Sequence, residues 1–382
     1  MREGTPVAYR HLYVHVPFCA RRCSYCDFSI AVRRVVPVAE YVSAIAAELA
    51  LRSVRETGSV LDTLYLGGGT PSRLGPDGIG ALIDAIREVA DIAPDAEVTM
   101  EANPEDITRD AVREWKRHGV TRLSIGVQTF DDRVLQWMHR EHDGAAAEAA
   151  VRAAREGGID AFSLDLIFAL PHGLERDWQR DVGRVLALDP DHVSLYGLTI
   201  EDGTPLGRWR ARGDVVESPE ERYESEFLHA HDALTDAGFQ HYEVSNFSLP
   251  NRRARHNSAY WTGTPYLGLG PSAHGFDGSV RSWNEKHYAD WIRIVGEGAV
   301  PVAGAETLTA ENRVAETVYL GLRTSDGLEV TAAEREALAA WVRAGWIIEQ
   351  ETASGVRIRC TPEGWLRLDA LAADLTARRS PS

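Results

Sequence analysis

Six short apolar runs, rich in β-branched and aromatic residues, punctuate the N-terminal half of the chain. They are HLYVHVPF (11–18), TLYLGGG (63–69), EVTMEAN (97–103), RLSIGVQTF (122–130), AFSLDLIFALP (161–171) and HVSLYGLTI (192–200). Between them lie segments whose apolar positions recur at three- and four-residue spacing, such as VAEYVSAIAAELALRSVRE (38–56) and DGIGALIDAIREVA (77–90). Near-continuous apolar strands alternating with amphipathic helices predict a parallel sheet covered by helical crossovers. Six such units are too many for a simple mononucleotide fold. They suit an α/β architecture, a partial (β/α)6 barrel of the TIM type.

After residue 200 the rhythm breaks. ERYESEFLHAHDALTDAGF (221–239) reads as one more amphipathic helix, followed by a loop-rich block to about residue 283. Near the C-terminus, TAENRVAETVYLGLRT and TAAEREALAAWVRAG read as helices, WIIEQE with GVRIRC as a hairpin, and TPEGWLRLDALAADL as a capped helix. Helices followed by a two-stranded wing predict a small winged-helix-like α+β domain. The expected division is therefore a barrel over 1–205, a barrel-completing helix and loop-rich block over 206–300, and the C-terminal domain over 301–382.

Composition narrows the function. The chain has 382 residues, 44% hydrophobic and 26% charged, with a formal net charge of -16. That charge disfavours phosphate backbones, and the short Arg-rich pieces RRARH (252–256) and TARRS form no basic face, so no nucleic-acid partner is expected. No apolar run reaches the roughly 18 residues of a membrane span. MREGTPVAYR at the start has no apolar core, so no secretory signal is expected. Four cysteines in a chain of this length make no disulfide framework. Three of them, Cys19, Cys23 and Cys26, crowd into HVPFCARRCSYCDFS, which points to a metal or redox centre and to the reducing cytoplasm.

The chemistry of that cluster has two readings. Structural zinc takes four protein ligands, often from paired C-x2-C knuckles, and His15 completes such a set on paper. An iron–sulfur cube has four irons, and three thiolates leave one of them open to an exogenous molecule. Other unusual residues fall at successive strand ends. Gly67, Gly68 and Gly69 remove every Cβ, which suits either a tight turn or close backbone approach to a ligand. Glu101 offers a carboxylate for an ammonium or hydroxyls, Gln128 an amide and Arg140 a guanidinium for carboxylate or ribose oxygens. Asp165 sits inside an apolar strand and needs a partner. Each alone is an ordinary structural residue; together they favour a ligand site.

C-x3-C-x2-C followed by an aromatic, Phe28, resembles the signature of radical S-adenosylmethionine (SAM) proteins. The wider set, LYVHVPFCARRCSYCDF, TLYLGGGTPS, EANPE, RLSIGVQTF, HVSLYGLTIEDGTPL, YEVSNFSLP and HNSAYW with YLGLGPSAHG, resembles the oxygen-independent coproporphyrinogen oxidase-like family and, within it, the haem-chaperone branch. The resemblance implies a [4Fe–4S] cluster on Cys19, Cys23 and Cys26 whose open iron chelates SAM. It implies SAM contacts from Tyr13, Phe28, Gly68, Gly69, Thr70, Glu101, Gln128, Arg140 and Asp165. In HNSAYW (256–261) it implies haem binding, with His256 as iron ligand and Tyr260 and Trp261 as flat faces.

Two features separate the branches. True oxidases carry a further cysteine two residues after the third, where this chain has Phe28, and an N-terminal extension, where this chain has only about ten residues. The expectation is thus a haem carrier that delivers haem to client haemoproteins such as respiratory enzymes, with no assigned catalytic residue. Oxidative decarboxylation of coproporphyrinogen III is the alternative. Homodimer formation, transient membrane association through clients and the role of Cys360 are left open. Ala169, where relatives often have Gly, is expected to narrow the pocket slightly.

Overall fold

The computed structural model describes residues 7–53, 58–353 and 355–380. The starting hexapeptide MREGTP and residues 54–56 of the helix expected over 38–56 lie outside them. The six apolar runs are strands: β1 (His11–Val16), β2 (Val60–Gly68), β3 (Asp91–Ala102), β4 (Arg122–Gln128), β5 (Phe162–Phe168) and β6 (His192–Gly197). They pair in parallel in that order. Burial on both faces explains their composition: in β5, FSLDLIF, every residue but Asp165 is fully buried.

Helices α1 (Val38–Leu51), α2 (Gly75–Val89), α3 (Arg109–Arg117), α4 (Gly144–Gly157) and α5 (Trp178–Ala187) form the crossovers. Their starts follow local capping chemistry. Thr108 accepts from the Ala111 N–H, Asp143 from Ala146 and Asp177 from Arg180, each satisfying an orphan donor of the first turn. Gly158, in the left-handed region at φ 93°, ends α4. The apolar stripe of α2 (Ile79, Leu82, Ile83, Ile86) is buried against the sheet.

The sheet is larger than expected. β7 (Gln240–Glu243) and β8 (Asn246–Ser248) form an antiparallel extension beyond β6, and β9 (Leu267–Leu269) runs parallel to β1 at the opposite edge. The order is β9-β1-β2-β3-β4-β5-β6-β8-β7, a sheet with two free edges, as a partial barrel requires. A carboxylate inside α1 fixes the first edge. Glu48, fully buried, accepts from the Gly270 N–H at 2.9 Å, Asn284 Nδ2 at 2.7 Å and Trp291 Nε1 at 2.8 Å, and pairs with Arg52 at 3.1 Å. One side chain thereby holds the block after β9 against the barrel.

Strands β10 (His274–Phe276), β11 (Val280–Asn284) and β12 (Val302–Thr307) make a small antiparallel sheet. The division expected at residue 300 falls within it. The C-terminal segment has the expected helix Ala310–Arg323 and a three-stranded sheet of β13 (Leu328–Val330), β14 (Ile347–Thr352) and β15 (Gly355–Cys360). The last predicted helix is two, Pro362–Trp365 and Leu368–Arg379. One apolar cluster runs from the barrel into this segment. Trp365 rests 4.2 Å from the His241 ring and donates its Nε1–H to Leu322 O. No helix among the described residues is long and apolar enough to cross a membrane.

Candidate functional site

The cysteine loop leaves the C-terminal end of β1 and is pinned at several points. Phe18–Cys19 pairs in parallel with Ala31–Val32, the Ser24 N–H donates to Met138 O, and the Leu206 N–H donates to Ser24 O. Arg21 reaches Glu141 at 2.9 Å. The loop thus closes over the strand ends, with Cys19 buried and Cys23 and Cys26 half-buried, all three as free thiols.

Below the loop lies a cavity of about 430 Å³, lined by all three cysteines and by Phe28, Gly68, Gly69, Thr70, Glu101, Gln128, Arg140 and Asp165. Burial pushes the Cys19 thiol up, and Cys26 up to about 12, for the same reason. Unbound thiolates are therefore disfavoured there, and a bound cation is what would stabilise them. The surroundings already aim donors at sulfur. Thr70 Oγ1 donates to Cys19 Sγ at 3.4 Å and Arg140 Nη1 to Cys23 Sγ at 3.7 Å. Arg140 is steadied by Asn103 Oδ1 at 2.7 Å and Gly126 O at 2.9 Å, while its buried Nε has no partner.

Glu101 and Asp165 form the acidic floor. Glu101 accepts from the Tyr65 hydroxyl at 2.9 Å and the Gly68 N–H at 3.0 Å, and burial lifts its carboxyl to about 7. Burial also raises Asp165, whose carboxylate finds its partners in the Ser124 hydroxyl at 2.8 Å and the Ser163 hydroxyl at 3.0 Å. Gln128 sits at φ 67°, unusual for a non-glycine residue, beside the bulge where β4 loses register with β5.

The glycines have an internal reason for lacking a Cβ. At Gly68, φ 109°, a Cβ would meet the His15 ring at 2.6 Å; at Gly69 it would meet Pro17 C at 2.7 Å; at Gly67, the Tyr65 ring at 2.7 Å. Packing of the turn against β1 and β2 therefore demands glycine before any ligand arrives. Ala169 does not line the cavity: it is buried, at φ 56°, with its N–H on Glu226 Oε2 at 2.7 Å. The difference from glycine falls on the backbone there, not on pocket width.

A second cavity of about 370 Å³ adjoins the first through Asp27, Phe28, Gly68 and Glu101, and Tyr13 opens onto it. Phe28 stands between the two, 58% exposed. His15 lies in β1 with Nδ1 against the Tyr13 hydroxyl at 3.1 Å and Nε2 against Ser29 O at 2.9 Å, so neither nitrogen is turned to the cysteines.

His256 is not brought to either cavity. It is 1% exposed, its Nδ1 lies 2.7 Å from Thr63 Oγ1 and its Nε2 2.8 Å from the Tyr260 hydroxyl. Burial, with a smaller contribution from nearby His11, lowers its imidazole to about 3, so it is neutral. Both nitrogens are engaged, which leaves no lone pair for iron in this arrangement.

Several cavity residues escaped the sequence reading: Asn103, Ser124, Gly126, Ile167 and Tyr196. The signal was present as a period of two. Glu101 and Asn103 in and after β3, Ser124, Gly126 and Gln128 in β4, and Asp165 and Ile167 in β5 all face inward.

Comparison with known proteins matches this arrangement. The Radical SAM superfamily model covers residues 13–184. A Mycobacterium tuberculosis protein named heme chaperone HemW is 37% identical over 370 residues, covering 95% of this chain and 94% of the relative. This chain belongs to the HemW family. A Bacillus subtilis HemW is 34% identical, covering 83% of this chain and 84% of its own length. Among solved structures, the Escherichia coli coproporphyrinogen III oxidase HemN, described as a radical SAM enzyme, superposes with a TM-score of 0.81 at 25% identity. It covers 98% of this chain and 91% of its own. The HemN structure thus shares the fold described here over nearly the whole chain.

Proposed function

We propose that this member of the HemW family is a haem chaperone that holds a [4Fe–4S] cluster on Cys19, Cys23 and Cys26, binds SAM beside it, and passes haem to client haemoproteins. The observation that carries the reading is the convergence of three free thiols, an Arg140 guanidinium and the Glu101 and Asp165 carboxyls on one cavity. Among the described residues, no three His, Cys, Asp or Glu side chains are grouped as one metal ion needs. A cube takes one thiolate on each of three separate irons, so this donor set fits a cluster better than zinc.

When bound, the cluster and SAM supply electron transfer and sulfonium cleavage. The chain's own residues supply the site. Glu101 meets an ammonium, Arg140 steadies a thiolate and reaches for a carboxylate, and Gln128 and Asp165 offer hydrogen bonds to hydroxyls. The Gly68–Thr70 turn lines the same wall, with the Thr70 hydroxyl on Cys19.

The HemN superposition favours a second reading, oxidative decarboxylation of coproporphyrinogen III. Against it stands Phe28, where the oxidases to which the sequence is similar carry a further cysteine. The test is anaerobic reconstitution with iron and sulfide, followed by parallel titration with haem and coproporphyrinogen III in the presence of SAM and a reductant. The chaperone reading expects saturable haem absorption and unchanged coproporphyrinogen. Stoichiometric formation of protoporphyrinogen IX would establish the oxidase instead.

A further inference from the structure

A buried polar chain leaves the cavity floor and runs toward the opposite end of the strands. It begins at Asp165. Ser163 shares the inward face of β5 with Asp165, and parallel pairing sets it opposite His192, the first residue of β6. Ser163 Oγ lies 3.0 Å from Asp165 Oδ1 and 2.9 Å from His192 Nδ1. His192 Nε2 lies 2.8 Å from the hydroxyl of Tyr242 in β7. Ser163, His192 and Tyr242 are all buried. Beyond Tyr242 comes the surface segment of Arg252 and Arg253, with the Arg253 guanidinium 5.2 Å from the Tyr242 ring centre.

Donor counting gives this chain a direction. Ser163 has one hydroxyl proton, and an ionised Asp165 can only accept it. Ser163 Oγ then accepts from His192, which fixes the ring proton on Nδ1, while Nε2 accepts from the Tyr242 hydroxyl. The Ser194 hydroxyl, 3.0 Å away, donates to the other lone pair of Ser163. When Asp165 is protonated every link reverses: the carboxyl donates to Ser163, Ser163 to Nδ1, and Nε2–H to the Tyr242 oxygen. The two states differ by one proton and by the His192 tautomer. Burial, with Arg122 of β4 assisting, holds His192 well below its ordinary value, so the ring is neutral in both. Burial raises Asp165 while Arg122 opposes it; Glu101 of β3, Tyr65 of β2 and Tyr196 of β6 face the same carboxyl. At the other end Tyr242 faces Glu243, Glu97 and Arg122, whose buried Nη2 has no partner.

We propose that His192 is a positioning residue that passes a proton between Tyr242 and Asp165, setting the charge of the cavity floor from the far side of the barrel. A proton from water joins the Tyr242 oxygen, and Tyr242 gives its own to Nε2. His192 gives the Nδ1 proton to Ser163, and Ser163 gives its own to Asp165. The chain takes up one proton in all, and no electron moves. The inference rests on the SAM reading of the cavity for its use: a seated ligand blocks the mouth, and this chain reaches Asp165 from below.

The test uses the full chain, first ligand-free. Infrared difference spectra from about pH 4 to pH 9 follow the Asp165 carboxyl band, identified by its loss in Asp165→Asn. Nitrogen-15 NMR of histidine-labelled protein follows the His192 tautomer, identified by its loss in His192→Gln. In the wild type the Nδ1–H form should give way to the Nε2–H form at the midpoint of the Asp165 band. Ser163→Ala, with wild-type circular dichroism, should leave one tautomer at every pH. In the reconstituted chain with SAM bound, the Asp165 band after a pH jump should respond at least tenfold more slowly in His192→Gln than in wild type. A His192 tautomer that stays constant in the wild type, an Asp165 band that never appears, or equal rates in the pH jump overturns the proposal and leaves the SAM reading intact. A chain that binds no SAM overturns that reading, and the tautomer still decides the coupling.

Discussion

Arg140 and Cys23 are coupled across the mouth of the cavity. Nη1 stands 3.7 Å from Sγ, while Nη2 of the same guanidinium is held by Asn103 Oδ1 and Gly126 O. A guanidinium held in this way offers a charge-assisted hydrogen bond to the sulfur. Lysine keeps the charge and loses the planar fork. Hydrogen bonds to charged groups contribute about 1.5–3 kcal/mol, so Arg140→Lys should weaken SAM binding by roughly tenfold or more. Iron content should be retained. Equilibrium dialysis with SAM, beside iron analysis, checks this; equal affinity in the variant would remove Arg140 from the ligand site.

Glu101 supplies a pH signature. Its folded value of about 7 lies above the ordinary 4.5. A carboxyl raised on folding contributes stability that is complete below the ordinary value and lost as pH rises through about 7. The ligand-free chain should therefore lose stability between pH 5 and pH 8, and Glu101→Gln, neutral throughout, should flatten that part of the profile. SAM affinity runs the other way, rising through pH 7 in the wild type because the ammonium needs the carboxylate. Denaturant midpoints and SAM affinities at several pH values test both, and identical profiles in the two proteins would contradict the assignment.

The four cysteines should divide three to one. Serine at Cys19, Cys23 or Cys26 removes a thiolate from the cavity and should abolish the cluster's visible absorbance after reconstitution. Cys360 ends β15, 6% exposed, its thiol pushed up to about 12 by burial. Such a thiol is inert packing. Cys360→Ala should keep full iron content and lose about 1 kcal/mol of stability. Loss of iron in that variant would show that the division is mistaken.

Gly68→Ala combines two faults. The backbone is in the left-handed region, and the new methyl would sit 2.6 Å from the His15 ring. Strain and overpacking together should cost about 2–4 kcal/mol. The Gly68 bond to Glu101 should be disturbed as well, so SAM affinity falls along with the melting temperature. A variant as stable as wild type would mean that the turn relaxes freely.

Glu48→Ala should be the most damaging substitution outside the cavity. It leaves Arg52, Asn284, Trp291 Nε1 and the Gly270 N–H without their shared acceptor. Removing one partner of a buried charged network costs about 3–5 kcal/mol. Chemical denaturation should show that loss, and hydrogen exchange should show β9 opening from β1. A loss below 1 kcal/mol would mean that packing alone holds this edge.

The six parallel strands and their crossovers were legible in the chain because their signals are local: apolar runs, helical spacing and capping residues each lie within a few positions. The cysteine cluster was equally plain, being contiguous. β9 was not, since a three-residue strand becomes one only by pairing with β1, and no local pattern announces Glu48 as the acceptor that draws it there. The turn glycines were noticed for the space they leave a ligand, yet the rings and carbonyls that exclude a Cβ come from β1, β2 and the residue after β1, which sequence proximity does not reveal. HNSAYW presents its histidine plainly in sequence, but burial and two hydrogen bonds are properties of its neighbours Thr63 and Tyr260. Folding turns that imidazole inward, because which lone pairs remain unused depends on contacts between distant segments.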